Sequence, residues 1–430
     1  MTSAPNLRQS VDVCIGKAGT LVGHLTYVKQ GQRENSTFSY DASWLDSATR
    51  FEVSPDLPLA AGHQPRRAPT QADSVFHYAL ADTAPDAWGR RLIARAHARQ
   101  RKDNPKLPAL SEMDYLAAVD DFSRVGALRL RDASGQFVRT VAEGERAAPP
   151  LVELERLYKA SRAVEMNQET ADDLAYLLGK GTSLGGMRPK CTVLDENGML
   201  AIGKFPSVND TRSVTRGEVL AMRLALNAGV EAAAARIVML NDAPVAVIER
   251  FDRTPEQARI PYLSAASMLQ ASREEDRSYV EIADAIRARC ASPTQDVQQL
   301  WRRMVFNLLI TNVDDHLQNH GFLYVGNGHW RLAPAFDLNP FPDKDRESKT
   351  WLSADTGPID SLEMLVQQAA YFGLTRDRAL AVVSHVCRAV DAWRTEALGA
   401  AVGMLPGELE DFAPAFEHEA METAREAKGL

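Results

Sequence analysis

Between Trp301 and Asp343 the chain reads WRRMVFNLLITNVDDHLQNHGFLYVGNGHWRLAPAFDLNPFPD, and no other stretch limits the fold as much. Apolar Met304, Val305, Leu308 and Leu309 recur at helical spacing and stop at a polar turn carrying Asp314, Asp315, His316 and Asn319. Two short strands follow, Phe322–Val325 and Trp330–Pro334, about the turn-prone Gly326-Asn327-Gly328. The second strand delivers another carboxylate, Asp337, and then Asn339.

A polar loop, a hairpin and a strand-end aspartate is the order in which protein-kinase-like folds build a phosphoryl-transfer centre. One Asp orients the attacking hydroxyl, while an Asn and a second Asp hold magnesium on the nucleotide phosphates. A cap-and-loop cluster accounts for the same residues, because Asp and Asn favour caps and turns without any chemistry. His316 and His320, four apart, raise a zinc site as well. That reading is disfavoured: the stretch has no H-E-x-x-H pattern, and Gly321 argues for a loop.

Upstream, residues 11–27 alternate apolar and polar around Gly16 and Gly19, as a β-hairpin does. Residues 38–45 and 51–59 continue as short strands and turns. Residues 76–100 read as helical at both ends, with Pro85 starting the second helix behind Thr83 or Asp82. That helix runs into basic residues: Arg90, Arg91, Arg95, Arg99, Arg101, Lys102 and Lys106. They form either a solvated face or a contact surface for nucleic acid or an acidic partner. Alternation returns at 122–131, and 141–150 reads as a linker, so a mixed α+β N-terminal domain spans 1–149.

Beyond the linker, amphipathic helices at 151–163 and 169–178 lead to Gly179, Gly181, Gly185 and Gly186. A strand at 191–194, the Asn197-Gly198 turn and a return strand ending near Lys204 come next. A glycine-rich loop feeding a hairpin with a late Lys is how kinase small lobes hold nucleotide phosphates, although the same glycines also suit a plain structural turn. Helix 214–228 carries Glu218, either a partner for Lys204 or a surface carboxylate. Strands at 235–240 and 244–251 end in Glu249-Arg250-Phe251-Asp252-Arg253, a natural hinge for reading adenine, and the remainder is mostly helical. The expected fold class is α+β. The N-terminal domain precedes a bilobal kinase-like domain over 150–430, with a β-rich small lobe to about 253 and a helical lobe beyond.

Net charge is −8, from 49 basic and 57 acidic residues, which excludes a surface that binds nucleic acid all over and leaves a local basic patch open. Cys14, Cys191, Cys290 and Cys387 lack paired spacing, which fits free thiols in a reducing compartment. With no signal-peptide run and no stretch near 18 apolar residues, the sequence predicts a cytoplasmic protein away from membranes.

SLGGMRPK (183–190), the Lys204 strand, ERFDR (249–253), NVDDHLQN (312–319) and AFDL (335–338) fall in the order seen in the HipA family. GTLVGHLTY (19–27), FSYDASWL (38–45) and TAPDAWGRRL (83–92) resemble that family's N-terminal domain. The resemblance implies a serine/threonine-protein kinase toxin of a type II toxin–antitoxin system, using ATP and Mg2+. It further implies Asp314 as catalytic base, with His316 and Asn319 as its companions, and Asn319 and Asp337 as magnesium ligands. Gly185, Gly186, Lys204 and Asp337 would hold the ATP phosphates, Glu249 and Phe251 the adenine, and Ser183 would be autophosphorylated, silencing the enzyme. Asp315 departs from the family pattern and adds negative charge beside the base.

The implied partners are a HipB-like helix-turn-helix antitoxin, operator DNA mainly through that antitoxin, and a protein substrate such as an aminoacyl-tRNA synthetase. Two other readings remain. One is a catalytically weak subunit acting as co-repressor with its antitoxin. The other is a small-molecule kinase, disfavoured because the loop runs Asp-x-His where such enzymes place His before Asp.

Overall fold

The computed structural model describes residues 7–68, 70, 72–140, 148–179, 186–272, 275–343 and 347–426. The chain forms two compact units, one of residues 1–208, 252–263 and 326–328, the other of 209–251, 264–325 and 329–430.

In the first unit, strands Leu7–Ile15, Thr20–Gln30 and Arg33–Tyr40 form an antiparallel meander. It is flanked by Leu128–Arg131 beyond the first strand and the short Gln64–Pro65 beyond the third. The expected hairpin is present, turned by Gly16 and Gly19 at φ of 73° and 70°. A register shift at Val13/Cys14 bends the first strand. Opposite, Gly23 is required by close approach, since a Cβ there would lie 2.2 Å from the Ser39 carbonyl oxygen. Leu25, Tyr27 and Phe38 are fully buried, and each such side chain contributes about 1.5–3 kcal/mol. Residues 51–59 form turns and no strand.

Helix Ala87–Asp103 buries Trp88, Leu92 and Ile93 on one stripe. Its cap is Asp86, whose side chain accepts from Gly89 N–H at 2.7 Å, and neither Thr83 nor Asp82 fills that place. The basic run is largely committed inside the unit. Arg90 pairs bidentately with Glu112 and lies over the Tyr115 ring. Arg91 donates to the Val164 carbonyl, Arg95 pairs with Glu169 at 2.9 Å, and Arg99 donates to the Glu169 carbonyl. Arg91, Arg95 and Arg99 bind the helix to the end of Leu154–Glu165 and the turn before Ala171–Gly179, and Arg90 binds it to Glu112–Ala118. Only the exposed Arg101, Lys102 and Lys106 keep the character of an open basic surface.

In the second unit, the hairpin of Ala235–Leu240 and Ala243–Glu249 turns at Asn241, φ 53°. Helix Val214–Asn227 lies along it, and Glu218 is buried at 2% exposure, so it is no surface carboxylate. The helical part includes Tyr279–Arg289, Pro293–Leu309, Leu362–Gln368, Arg376–Asp391, Trp393–Leu398, Pro406–Phe416 and Glu419–Arg425. Trp301 anchors it, fully buried, with its indole N–H donating to the Leu365 carbonyl at 3.2 Å. The four cysteines are buried free thiols. No helix among the described residues is long and apolar enough to cross a membrane.

Candidate functional site

Helix Pro293–Leu309 ends in a way the sequence does not advertise. Asn312 N–H bonds the Asn307 carbonyl at 2.8 Å and Thr311 N–H bonds that of Leu308 at 3.3 Å, the paired bonds of a Schellman motif. The left-handed position, usually glycine, is Thr311 at φ 54°. A β-branched residue there costs on the order of 1–3 kcal/mol and persists only when its surroundings hold it. They do: the Thr311 hydroxyl donates to the Ala415 carbonyl at 3.0 Å, and its carbonyl accepts Phe341 N–H at 3.1 Å. The chain is thereby turned sharply and launched into Asn312–Asn319.

Asp314 and Asp315 diverge at once. Asp315 is 2% exposed, and its Oδ2 accepts from the Tyr279 hydroxyl, from Asn307 Nδ2 at 2.6 Å and from His320 Nε2 at 3.0 Å. Burial alone would raise the Asp315 carboxyl; the His320 ring and the hydrogen bonds from His320 and Tyr279 outweigh it and hold the group below its ordinary value. Burial and the adjacent Asp315 charge push the Tyr279 phenol well up. Asp315 therefore turns its negative charge inward onto these donors and organises the floor of the loop. His320 is spent there too, and among the described residues no three His, Cys, Asp or Glu side chains gather for a metal.

Asp314 points the other way, part exposed, with the Lys349 ammonium against its Oδ1 as a contact of charge without an aligned hydrogen bond. Its carbonyl accepts from Asn319 Nδ2 at 3.1 Å and from His316 N–H at 3.0 Å, closing the loop into one turn. His316 Nδ1 is buried and meets no hydrogen-bond partner among the described residues. With Asn319 Nδ2 used on the loop, its amide Oδ1 is the atom left for a ligand.

The Asp337 loop is tied to this turn through side-chain amides. Asn312 Nδ2 donates to Asn307 Oδ1 at 3.1 Å, and Asn312 Oδ1 accepts Asn339 N–H at 3.3 Å. Asn339 Nδ2 donates to the Asp337 carboxylate at 3.3 Å and to its carbonyl at 3.2 Å. Asp337 sits at φ 57°, a conformation Asp tolerates better than most residues. The approach to it is fixed by Ala335, which exchanges hydrogen bonds with Glu231 and Ala233 at 2.7 and 2.9 Å. Arg303 braces the same approach. Burial pushes its guanidinium down to about 10, and it donates to the carbonyls of Ala333 and Glu231.

The residues expected to form a hinge reach the same neighbourhood. Glu249 N–H bonds the Ala234 carbonyl at 2.9 Å, and the Phe251 ring lies 5.5 Å from that of Phe336, next to Asp337. One unit thus gathers Asp314, His316, Asn319, Asp337, Glu249 and Phe251.

The other expected residues belong to the first unit. Lys204 ends strand Leu200–Lys204, which pairs with Lys190–Leu194 so that Lys190 and Lys204 are opposite, both buried. Like charges so placed repel, and Lys190 is compensated by Asp86 at 3.3 Å. Gly186 has φ 89°, a backbone conformation that favours glycine, and its open side faces Lys190 Nζ. Ser183 and Gly185 lie outside the described residues.

Residues 12–131 match the HipA N-terminal domain and residues 182–394 the HipA-like C-terminal domain. The protein named Putative kinase Y4mE in Sinorhizobium fredii is 24% identical over 345 residues, 74% of this chain and 75% of that one. A Haemophilus influenzae protein named Putative kinase is 31% identical over 109 residues, 23% of this chain and 32% of that one. A chain from the Shewanella oneidensis toxin–antitoxin complex of HipA, HipB and operator DNA aligns over 98% of this chain and 99% of its own, with a TM-score of 0.64. At 15% identity the two share a fold, mixed α+β with an N-terminal sheet domain and a kinase-like domain.

Proposed function

The chain belongs to the HipA family, and from that premise we propose that it is a Mg-ATP-dependent serine/threonine-protein kinase, the toxin of a toxin–antitoxin pair. The observation that carries this is the linkage of two acidic loops in one unit: Asn312 ties the Asp314 turn to the Asp337 loop through Asn339. Asp314 precedes Asn319 by five positions, the spacing of the kinase catalytic loop. Asp314 would accept the proton of the attacking hydroxyl, and the buried, unpartnered His316 Nδ1 would hold that hydroxyl or a phosphoryl oxygen. Asn319 and Asp337 suit a magnesium ion that takes the rest of its shell from phosphate and water, because such ions need only one or two protein ligands. Bound there, the ion would neutralise charge developing on the phosphates. Lys204 and the loop through Ser183, Gly185 and Gly186 would hold the phosphates, and Glu249 with Phe251 the adenine.

Under this reading the partner is a HipB-like antitoxin that carries the chain to operator DNA, as the makeup of the Shewanella complex suggests. The substrate is a protein of translation, such as an aminoacyl-tRNA synthetase. Asp314→Asn and Asp337→Asn should each lower phosphoryl transfer by 10³-fold or more, to order of magnitude, while the protein stays folded. Comparing phosphopeptides in cells expressing the wild type or Asp314→Asn tests activity and substrate together. Wild-type turnover by either variant would move the centre elsewhere.

A further inference from the structure

Lys349 lies outside the Asp314 turn, the Asp337 loop and the glycine loop, yet its ammonium rests on the Asp314 carboxylate. Its placement is built from both sides. Lys349 N–H bonds the Val313 carbonyl at 3.1 Å, and the Thr350 hydroxyl donates to the Asp315 carbonyl at 2.6 Å. The segment therefore runs alongside residues 313–315. It is braced further on, where the Ser348 hydroxyl donates to the Thr350 carbonyl at 2.6 Å and accepts Ile359 N–H at 2.9 Å. Trp351 N–H then bonds the Arg277 carbonyl at 2.9 Å. A pinned backbone with a 56%-exposed side chain leaves one mobile part, the aliphatic stem that carries the charge.

We infer that Lys349 is a further catalytic residue, whose ammonium turns from Asp314 onto the transferred γ-phosphoryl group. This rests on the kinase reading above. Phosphoryl transfer spreads negative charge over three equatorial oxygens, which a fixed cation must meet. The loop from Asp314 to Asn319 contains no Lys or Arg, and the nearby Arg303 is buried on backbone carbonyls. A hydroxyl held by Asp314 lies about 2.7 Å from the carboxylate. The phosphorus it attacks lies about 3–3.5 Å beyond. An ammonium touching the carboxylate thus needs only side-chain rotation to reach a phosphoryl oxygen. In the step, the hydroxyl oxygen bonds to the γ-phosphorus as the bond to the β,γ-bridging oxygen breaks. That electron pair leaves on ADP, the hydroxyl proton passes to Asp314, and Lys349 keeps its own.

The test uses the full chain with Mg-ADP and the non-hydrolysable Mg-AMP-PNP as calorimetric probes, and steady-state kinetics with ATP. Lys349→Ala should weaken AMP-PNP about tenfold, leave ADP unchanged and lower kcat about 100-fold, with KM for ATP rising about as AMP-PNP affinity falls. Lys349→Arg should recover most of the loss. Thermal melts of the variants check that the fold is kept. If Lys349→Ala weakens ADP and AMP-PNP equally, or leaves both binding and kcat as in the wild type, Lys349 does not touch the γ-phosphoryl and the inference falls alone. If the wild type binds neither nucleotide, the kinase reading falls and takes this inference with it.

Discussion

Single side chains decide how the two neighbouring aspartates divide their roles. Asp315 faces inward and satisfies Tyr279, Asn307 and His320, so removing it strands three buried polar groups at once. Asp315→Ala should destabilise the second unit by about 3–5 kcal/mol, read as a lower urea midpoint, whereas Asp314→Asn should leave that midpoint nearly unchanged. The pH dependence has a definite sign. The folded carboxyl of Asp315 lies below its ordinary value near 3.8, so its contribution is complete above that value and lost as pH falls through the lower folded one. Acid unfolding of the wild type should steepen below about pH 4, and Asp315→Asn should remove that component; identical acid limbs would show that the carboxylate is not the linked group. Adjacent Asp residues gave no sequence signal for this division, because inward and outward aspartates read alike. His320, five residues on, was the available hint.

At the scale of elements, the arginines of helix Ala87–Asp103 act as a brace. Arg95 and Arg99 both converge on Glu169, just ahead of the cap at Thr170. Arg95→Glu with Arg99→Glu should therefore lower the melting temperature by several degrees, with only weak dependence on salt, because the Arg95–Glu169 pair is largely shielded from water. Unchanged melting together with weakened, salt-dependent binding to a partner would restore the open-surface reading. The periodicity that located this helix was legible; the use of its charged face was not, since Glu169 lies 74 residues from Arg95 and 70 from Arg99 and no local pattern points to it. Helix Pro293–Leu309 teaches the same thing at its end. Its apolar spacing was plain, but a threonine in the left-handed position is held by Ala415, which lies far along the chain.

For the whole molecule, the kinase reading makes a joint prediction about the glycine loop. Protein made with an intact Asp314 should carry phosphate on Ser183, and Asp314→Asn protein should not, as mass spectrometry of the two preparations would show. A phosphoserine would bring a charge of close to −2 to a loop that, on the kinase reading, receives ATP phosphates, so the modified form should bind ATP more weakly. Phosphate on both preparations equally would exclude self-modification there. The sequence by itself determined the α+β class, the order of the main strands and helices though not the turns at 51–59, the hairpins at Gly16–Gly19, Asn197-Gly198 and Asn241, and the short motifs that carry Asp314 and Asp337. All of these rest on local information: side-chain periodicity, turn chemistry and short motifs. Tertiary structure alone decided the inward turn of Asp315, the strained Thr311, the brace on Glu169 and the meeting of Lys349 with Asp314. Each is a contact whose geometry depends on packing between segments that share no local pattern, and at Asp315 and Thr311 burial makes an unpaired polar group too costly to leave.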